Sequence, residues 1–388
     1  MTGNVKTGVW VLDDVYQKLN AGFWTYTADD VPGSTLWGWG YNGQGNLGTN
    51  NTTRYSSPVQ IGGSLWSDVV QDQISSFAKK SDNSLWAMGW NVFSNLGTGN
   101  SNNASSPVQI PGTSWGRVNV GANRTKATKS DGTLWTWGGG DRGSHGRNVA
   151  DATLNSPNQI PGTSWCAVDV HSASFGLKTD GTLWAWGGND GGILGIGCRS
   201  TLTPVTTYGV SSPVQIPGTS WSAVSTMNHT AALKTDGTLW AWGGVAQSLG
   251  TNTQANIMYC SPIQVPGTSW VQVSMGCYGA AARKSDNTLW IWGCGALGGT
   301  AQNNTVDTSS PVQIPGTNWT DVVRAVYGGY ALKGDGTLWT WGYNDCGELG
   351  LNDRATRSSP VQIPGSWFDI TNKIQGGAGF AFARKSVE

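Results

Sequence analysis

The chain predicts an all-β fold, a seven-bladed β-propeller with four antiparallel strands in each blade, and three observations carry that reading. The first is a repeat. Leu-Trp-x-Trp-Gly or a close variant begins at Leu36, Leu85, Leu134, Leu183, Leu239, Leu289 and Leu338, with spacings of 49, 49, 49, 56, 50 and 49 residues. A period near fifty built from short strands marks a propeller array. The second is composition. The 388 residues include 57 Gly and 23 Trp but only 12% charged side chains, which suits tight turns and sheets stacked face to face. The third is alternation. Trp240 and Trp242 stand two apart on one strand, so both project to one side of the sheet. Burying each contributes roughly 1.5–3 kcal/mol or somewhat more, and a lone hairpin has nothing to bury them against.

Residues 1–32 do not match the repeat and form an N-terminal arm. Val11, Leu12, Val15, Tyr16 and Leu19 fall at helical spacing, so a short helix is expected over 13–20. An aromatic stretch, Gly22 to Tyr26, follows. Two readings stand: an arm packed on the propeller, or an attachment segment that docks on a partner or on other copies. In the second reading Trp10, Leu12, Val15, Tyr16, Leu19, Phe23, Trp24 and Tyr26 make the contact.

Residues 33–388 hold the propeller. In the copy that begins at Trp221, strands are expected over 222–227, 230–234, 238–242 and 261–265, innermost first. Asp236-Gly237 suits a type I′ hairpin turn, and the Pro of the last strand suits an edge position. Six blades begin near 66, 115, 165, 221, 270 and 319. The seventh takes its inner strands from 367–388 and its outer strands from 33–63, so Lys385 is expected beside the strand after Gly33. On this scheme Trp37, Trp39, Trp86, Trp135, Trp137, Trp184, Trp186, Trp240, Trp242, Trp290, Trp292, Trp339 and Trp341 are the material between blades.

Little in the chain points to catalysis. Three His, at 145, 171 and 229, are scattered over different blades, which argues against a metal centre; His229 reads as a hydrogen-bonded strand-end residue. Neither a nucleophile elbow nor a phosphate-binding Gly-rich loop occurs. The recurring Asp at 82, 131, 180, 236, 286 and 335 occupy turn positions. No cofactor is expected. The six Cys read as free residues, with a Cys277–Cys294 pairing across one hairpin as the alternative. Equal numbers of basic and acidic residues, 23 each, supply no footprint for nucleic acid. No apolar run is long enough to span a membrane, and residues 1–30 lack a secretory signal, so synthesis in a cytoplasm is expected.

Three segments, Ala231-Ala-Leu-Lys-Thr-Asp-Gly-Thr-Leu-Trp-Ala-Trp-Gly243, Ser358-Ser-Pro-Val-Gln362 and Tyr343-Asn-Asp-Cys-Gly-Glu-Leu-Gly350, resemble the regulator of chromosome condensation repeat family. That resemblance covers residues 33–388 and implies a seven-bladed propeller. The namesake of the family is a chromatin-bound guanine-nucleotide exchange factor, but its basic tail has no counterpart here. A second resemblance rests on the arm from Gly8 to Tyr26 and on the Trp-rich regularity. It is to virion proteins of aquatic bacteriophages, and it implies a non-enzymatic tail, fibre or decoration protein located in the virion and made in the host cytoplasm.

Binding surface is expected where copies differ. The loop between the Trp-Gly end and the Ser-Pro strand has 16–17 residues in six blades and 24 between Gly187 and Ser212. That long loop contributes Arg199 and Tyr208 as candidate contacts. Trp90 and Phe93 are further candidates, with filling of the space beside Met88 as the plainer reading. Arg142 and His145 lie in a polar loop cluster read as solvated. The partners expected are other virion proteins or self-copies through the arm, and a host surface glycan or protein through the loops. A cytoplasmic protein-binding propeller, exchange-factor-like or inhibitor-like, is the alternative, and a lectin the third.

Overall fold

The computed structural model describes residues 35–62, 66–72, 74–121, 123–148, 152–170, 173–197, 209–244, 246–252, 259–325, 327–367, 369–370 and 380–385. The arm, with its expected helix and eight contact residues, lies outside these, as do Arg199 and Tyr208. The described strands form an all-β propeller of seven antiparallel four-stranded sheets. Blade 4 is typical: Trp221–Thr226, Thr230–Lys234, Leu239–Trp242 and a short Ile263–Gln264. First strands contact the first strands of neighbouring blades, so they line the hub, and the Pro-bearing fourth strand is the outer edge.

The seventh sheet is assembled from both ends of the chain. Its order runs from Tyr55–Gln60 through Thr35–Gly40 and Phe380–Lys385 to the two-residue Asp369–Ile370. Thr35 pairs with Lys385 and Gly40 with Phe380, so Lys385 lies beside the strand after Gly33 as expected from the sequence.

Two sets of contacts join the blades in a ring. Each blade shows an aliphatic face to the next and a Trp-bearing face to the one before. Leu183, Ile193 and Ile216 of blade 3 thus share a core with Trp221 and Trp242 of blade 4, and Leu338 and Ile363 of blade 6 share one with Trp39 and Trp367 of blade 7. The second set is polar. In every third-to-fourth-strand loop a left-handed residue donates its N–H to a carbonyl of the next blade, in its fourth strand or, for Cys260, just ahead of it. Asn50 bonds to Ser105 at 2.8 Å, Gly99 to Asn155 at 2.8 Å, Asn148 to Ser211 at 2.7 Å and Gly197 to Cys260 at 2.8 Å. Asn252 bonds to Ser309 at 2.8 Å, Asn303 to Ser358 at 2.7 Å and Asn352 to Ser56 at 3.0 Å.

The two Trp of each repeat are not equivalent. The second is fully buried, and in five blades its indole N–H donates to a loop carbonyl of the preceding blade, as Trp242 does to Ile193 at 2.8 Å, Trp137 to Asn95 at 2.8 Å and Trp39 to Glu348 at 2.9 Å. The first is half-buried at the rim. Trp240 donates to Thr238 Oγ1 at 2.9 Å, meets Trp221 edge-to-face at 6.4 Å and lies 4.7 Å from Lys234 Nζ. Only the second Trp is therefore wholly interblade material.

The hairpin turn also differs from expectation. Gly237 has φ +77° while Asp236 has no positive φ, and Gly237 N–H bonds Lys234 O at 3.0 Å. This is a turn centred on Thr235-Asp236 followed by a left-handed Gly, not a type I′ turn. Asp236 Oδ1 accepts from Thr238 N at 2.9 Å and from Thr238 Oγ1 at 2.7 Å. That Asx arrangement fixes the Asp conformation and overrides the Asp-Gly dipeptide rule.

Trp242→Ala should cost about 3–5 kcal/mol and Trp240→Ala distinctly less, as chemical denaturation would measure. Ala301 supplies a second test. It has φ +56° at the position held by Gly48, Gly97, Gly146, Gly195, Gly250 and Gly350 in the other loops. A Cβ on Gly97, Gly146 or Gly195 would come within 2.6 Å of the neighbouring indole N, and the indole N–H of Trp341, the neighbour of Ala301, has no hydrogen-bond partner. Ala301→Gly should thus stabilise the fold by about 1 kcal/mol, which the same unfolding measurement reads.

Candidate functional site

Antiparallel strands alternate in direction, so the first-to-second-strand turns and the third-to-fourth-strand loops share one face. The recurring Asp lie at the hairpins on the opposite face, where Thr or Ser donors hold their carboxyls below the usual 3.8. They are turn residues. Among the described residues no group of three or more metal-ligating side chains comes together, and no helix is long and apolar enough to cross a membrane.

The copies diverge on the loop face. The residue after the Trp-Gly end is Tyr41, Trp90, Gly139, Gly188, Gly244, Cys294 and Tyr343 in turn. Blades 2 to 4 are bare there, whereas blades 6, 7 and 1 carry an aromatic ring. The short turns of blades 5 and 6 add Tyr278 and Tyr327, which stack at 5.3 Å with planes 23° apart. Tyr343 lies 6.3 Å from Tyr327, and Tyr278 is 43% exposed. Farther round, Arg54 covers the Tyr41 ring at 4.9 Å, and Trp90 meets Phe93 edge-to-face at 5.2 Å. Met88 packs with Leu47 and Ile61 in the core, while Phe93 is 42% exposed. The pair therefore belongs to the surface and does not fill the space beside Met88.

A polar layer supports the tyrosines. Burial lowers the Arg324 guanidinium to about 10, so it stays charged at neutral pH, and its Nη1 donates to Gly328 O at 2.5 Å. Desolvation pushes the nearby Cys277 thiol up. Cys277 and Cys294 are both free, so the alternative pairing is not formed. Cys260, read as free from sequence, is disulfide-bonded. Tyr343 donates to Asp345, and that bond pushes its hydroxyl up to about 12.

Of the candidates chosen from sequence, Trp90, Phe93 and Arg142 are on this face. Arg142 is half-exposed and pairs with Asp190. His145 is not a surface residue: it is 4% exposed, with Nδ1 3.1 Å from Thr136 Oγ1 and Nε2 2.8 Å from Ala152 O. Its ring closes its own loop from inside. His229 departs from expectation as well, because neither ring nitrogen has a hydrogen-bond partner. Sequence reading missed Tyr278, Tyr327 and Tyr343. Aligning the copies is the signal that finds them: Tyr343 has Gly139, Gly188 and Gly244 among its counterparts, and Tyr278 and Tyr327 have Ile74, Asn123, Ser172 and Asn228.

A profile of the regulator of chromosome condensation (RCC1) repeat matches residues 335–383. No curated protein matches the sequence. Among solved structures, human WBSCR16 is 19% identical, with 91% of this chain and 99% of that one covered and a TM-score of 0.79. Prp20p from Saccharomyces cerevisiae, described with its binding to Gsp1p and histones, is 16% identical, with 92% of each chain covered and a TM-score of 0.77. Yeast RCC1 (Prp20) bound to Kap60 is 15% identical, with 100% and 95% covered and a TM-score of 0.79. At these identities the likeness establishes the fold alone.

Burial moves His229 from 6.5 to about 4. Between those values the unfolded chain binds a proton that the folded chain does not, so stability falls as pH drops through that window and levels off below it. His229→Ser, which places there the residue that blade 1 has as Ser75, should shrink the stability lost between pH 7 and 4 by on the order of 3 kcal/mol, measured by denaturant melts at both pH values. The repeat match is confined to residues 335–383, and what the chain shares with the solved propellers is the fold.

Proposed function

We propose that the chain is a non-catalytic interaction module whose loop face binds a partner protein through the aromatic sector of blades 5, 6, 7 and 1. The observation that carries this is the Tyr278–Tyr327–Tyr343 array. Stacked tyrosines offer large, rigid contact area at low entropic cost, and such residues dominate interface energetics. Tyr343 stands where the scaffold does not need a ring, since Gly139, Gly188 and Gly244 serve the same backbone position. The yeast propellers described with Gsp1p, histones and Kap60 support a protein partner, as for a cellular RCC1-like module.

The finer reading, from the resemblance of the arm, is a bacteriophage virion protein. Residues 1–32 attach it to the particle or to other copies, and residues 33–388 act as a closed head that faces host protein or glycan.

Affinity purification from the producing cells tests the proposal. The Tyr278→Asp/Tyr343→Asp double variant should lose the proteins that wild type retains, with its melting temperature unchanged. Identical recovery by both proteins would sink the loop-face assignment. In particles, a chain lacking residues 1–32 should fail to incorporate, and normal incorporation would remove the arm from that role.

A further inference from the structure

At the rim between blades 5 and 6, away from the loop-face tyrosines, a cavity of about 320 Å³ opens beside Trp319 and Trp339. We propose that it binds one acidic sugar residue, a uronate or a sialate of a glycan.

One wall is aromatic. Trp319 is buried and Trp339 half-buried, and their rings meet edge-to-face at 6.3 Å. The half-buried indole offers a flat π face, the surface on which the C–H face of a pyranose stacks. Lys333 lines the same cavity, with its Nζ 4.7 Å from one ring and 4.9 Å from the other. It forms no ion pair among the described residues. The carboxylate of Asp335, which feels its charge, already accepts from Thr337 N at 3.0 Å and Thr337 Oγ1 at 2.7 Å. A cation between two indoles complements a ligand carboxylate and opposes a cationic ligand.

The facing wall suits a polyol. Gln302, Asn303 and Ser359 bring amide and hydroxyl groups, which both donate and accept. Gln302 Nε2 donates to Gln313 O at 3.2 Å, which fixes that amide.

The Lys–Trp–Trp stack alone does not make the site. Lys284 lies 4.7 and 4.6 Å from the two rings of blade 5 in the same way. The difference is the loop that closes over the stack. Here Ala301-Gln302 stands where the other loops have Gly48-Thr49, Gly97-Thr98, Gly146-Arg147, Gly195-Ile196, Gly250-Thr251 and Gly350-Leu351.

Saturation-transfer difference NMR on the full chain, with glucuronate, N-acetylneuraminate and glucose as probes, tests the proposal. Ring-proton signals are expected from at least one acidic sugar, and which one responds identifies the source; glucose should give far less. Lys333→Met should weaken the response about tenfold. Because that change also opens the stack, Gln302→Trp, which fills the cavity from its edge, should abolish the response as well. Lys284→Met removes the corresponding cation in blade 5 and should leave the response intact. No response from either acidic sugar, an equal response from glucose, or equal loss in Lys284→Met would overturn the assignment.

Discussion

The structure depends on a bond that no blade makes by itself: a buried indole N–H donating to a loop carbonyl of the preceding blade. An indole in a dry interface that finds no acceptor leaves its lost hydration uncompensated. The acceptors Ile193 O, Asn95 O and Ser144 O belong to loops that reach over from the neighbour. Each such carbonyl has a second lone pair, and a second-strand hydroxyl takes it: Thr230 at 3.1 Å, Thr125 at 2.8 Å and Ser174 at 3.4 Å. Blade 1 shows the logic by substitution. Met88 stands where the second Trp is expected and carries no N–H, while Ser76 Oγ still donates to Asn46 O at 2.7 Å. Where that bond is made, a blade is not satisfied without the one before it, and a ring is the arrangement that leaves no first blade.

This dependence explains what the sequence showed and what it concealed. Repeat, strand order and split blade were legible, because apolar alternation and a fixed period are properties of the chain itself. The joint between chain ends followed from counting strands. Inequivalence of the paired Trp was not legible, because Trp240 and Trp242 share one sheet face and differ only in position along the strand, one by the hairpin and the other by the neighbour's loop. The turn departs from the Asp-Gly rule because the Thr two residues on donates both its N–H and its hydroxyl to the carboxylate. His145 looked solvated in a loop rich in charge. Its partners, Thr136 Oγ1 and a carbonyl seven residues on, pull it inward.

Buried polar residues that replace apolar ones are a further class that periodicity does not reveal. Lys126 occupies in blade 2 the register of Phe77 and Phe175, facing Thr136 as they face Ala87 and Ala185. It is fully buried, its Nζ makes no hydrogen bond, and desolvation pulls its pKa well below 10.5. The interface it enters holds the large aliphatic side chains Leu134, Ile160 and Val168 beside Trp165 and Trp186. The Trp186 ring 5.9 Å from the ammonium is a weak compensation at that range.

Variation among the copies is therefore not random decoration. Residues that take part in the blade-to-blade bonds are restricted: the left-handed loop position is Asn or Gly in all seven copies, because only those residues enter that region cheaply. The position after Trp-Gly carries no such duty, and it ranges over Gly, Cys, Tyr and Trp. Tyr343 and Trp90 replace Gly at no cost to the ring, since both side chains stand clear of the interblade cores. The same reasoning separates the two candidate surfaces. Aromatic residues on the loop face are additions to a finished scaffold. The rim cavity is a change within the joint itself, at Ala301, where a methyl group stands beside a lost indole bond. An added residue can be exchanged without disturbing the fold, whereas a change at Ala301 acts on the contact between two blades.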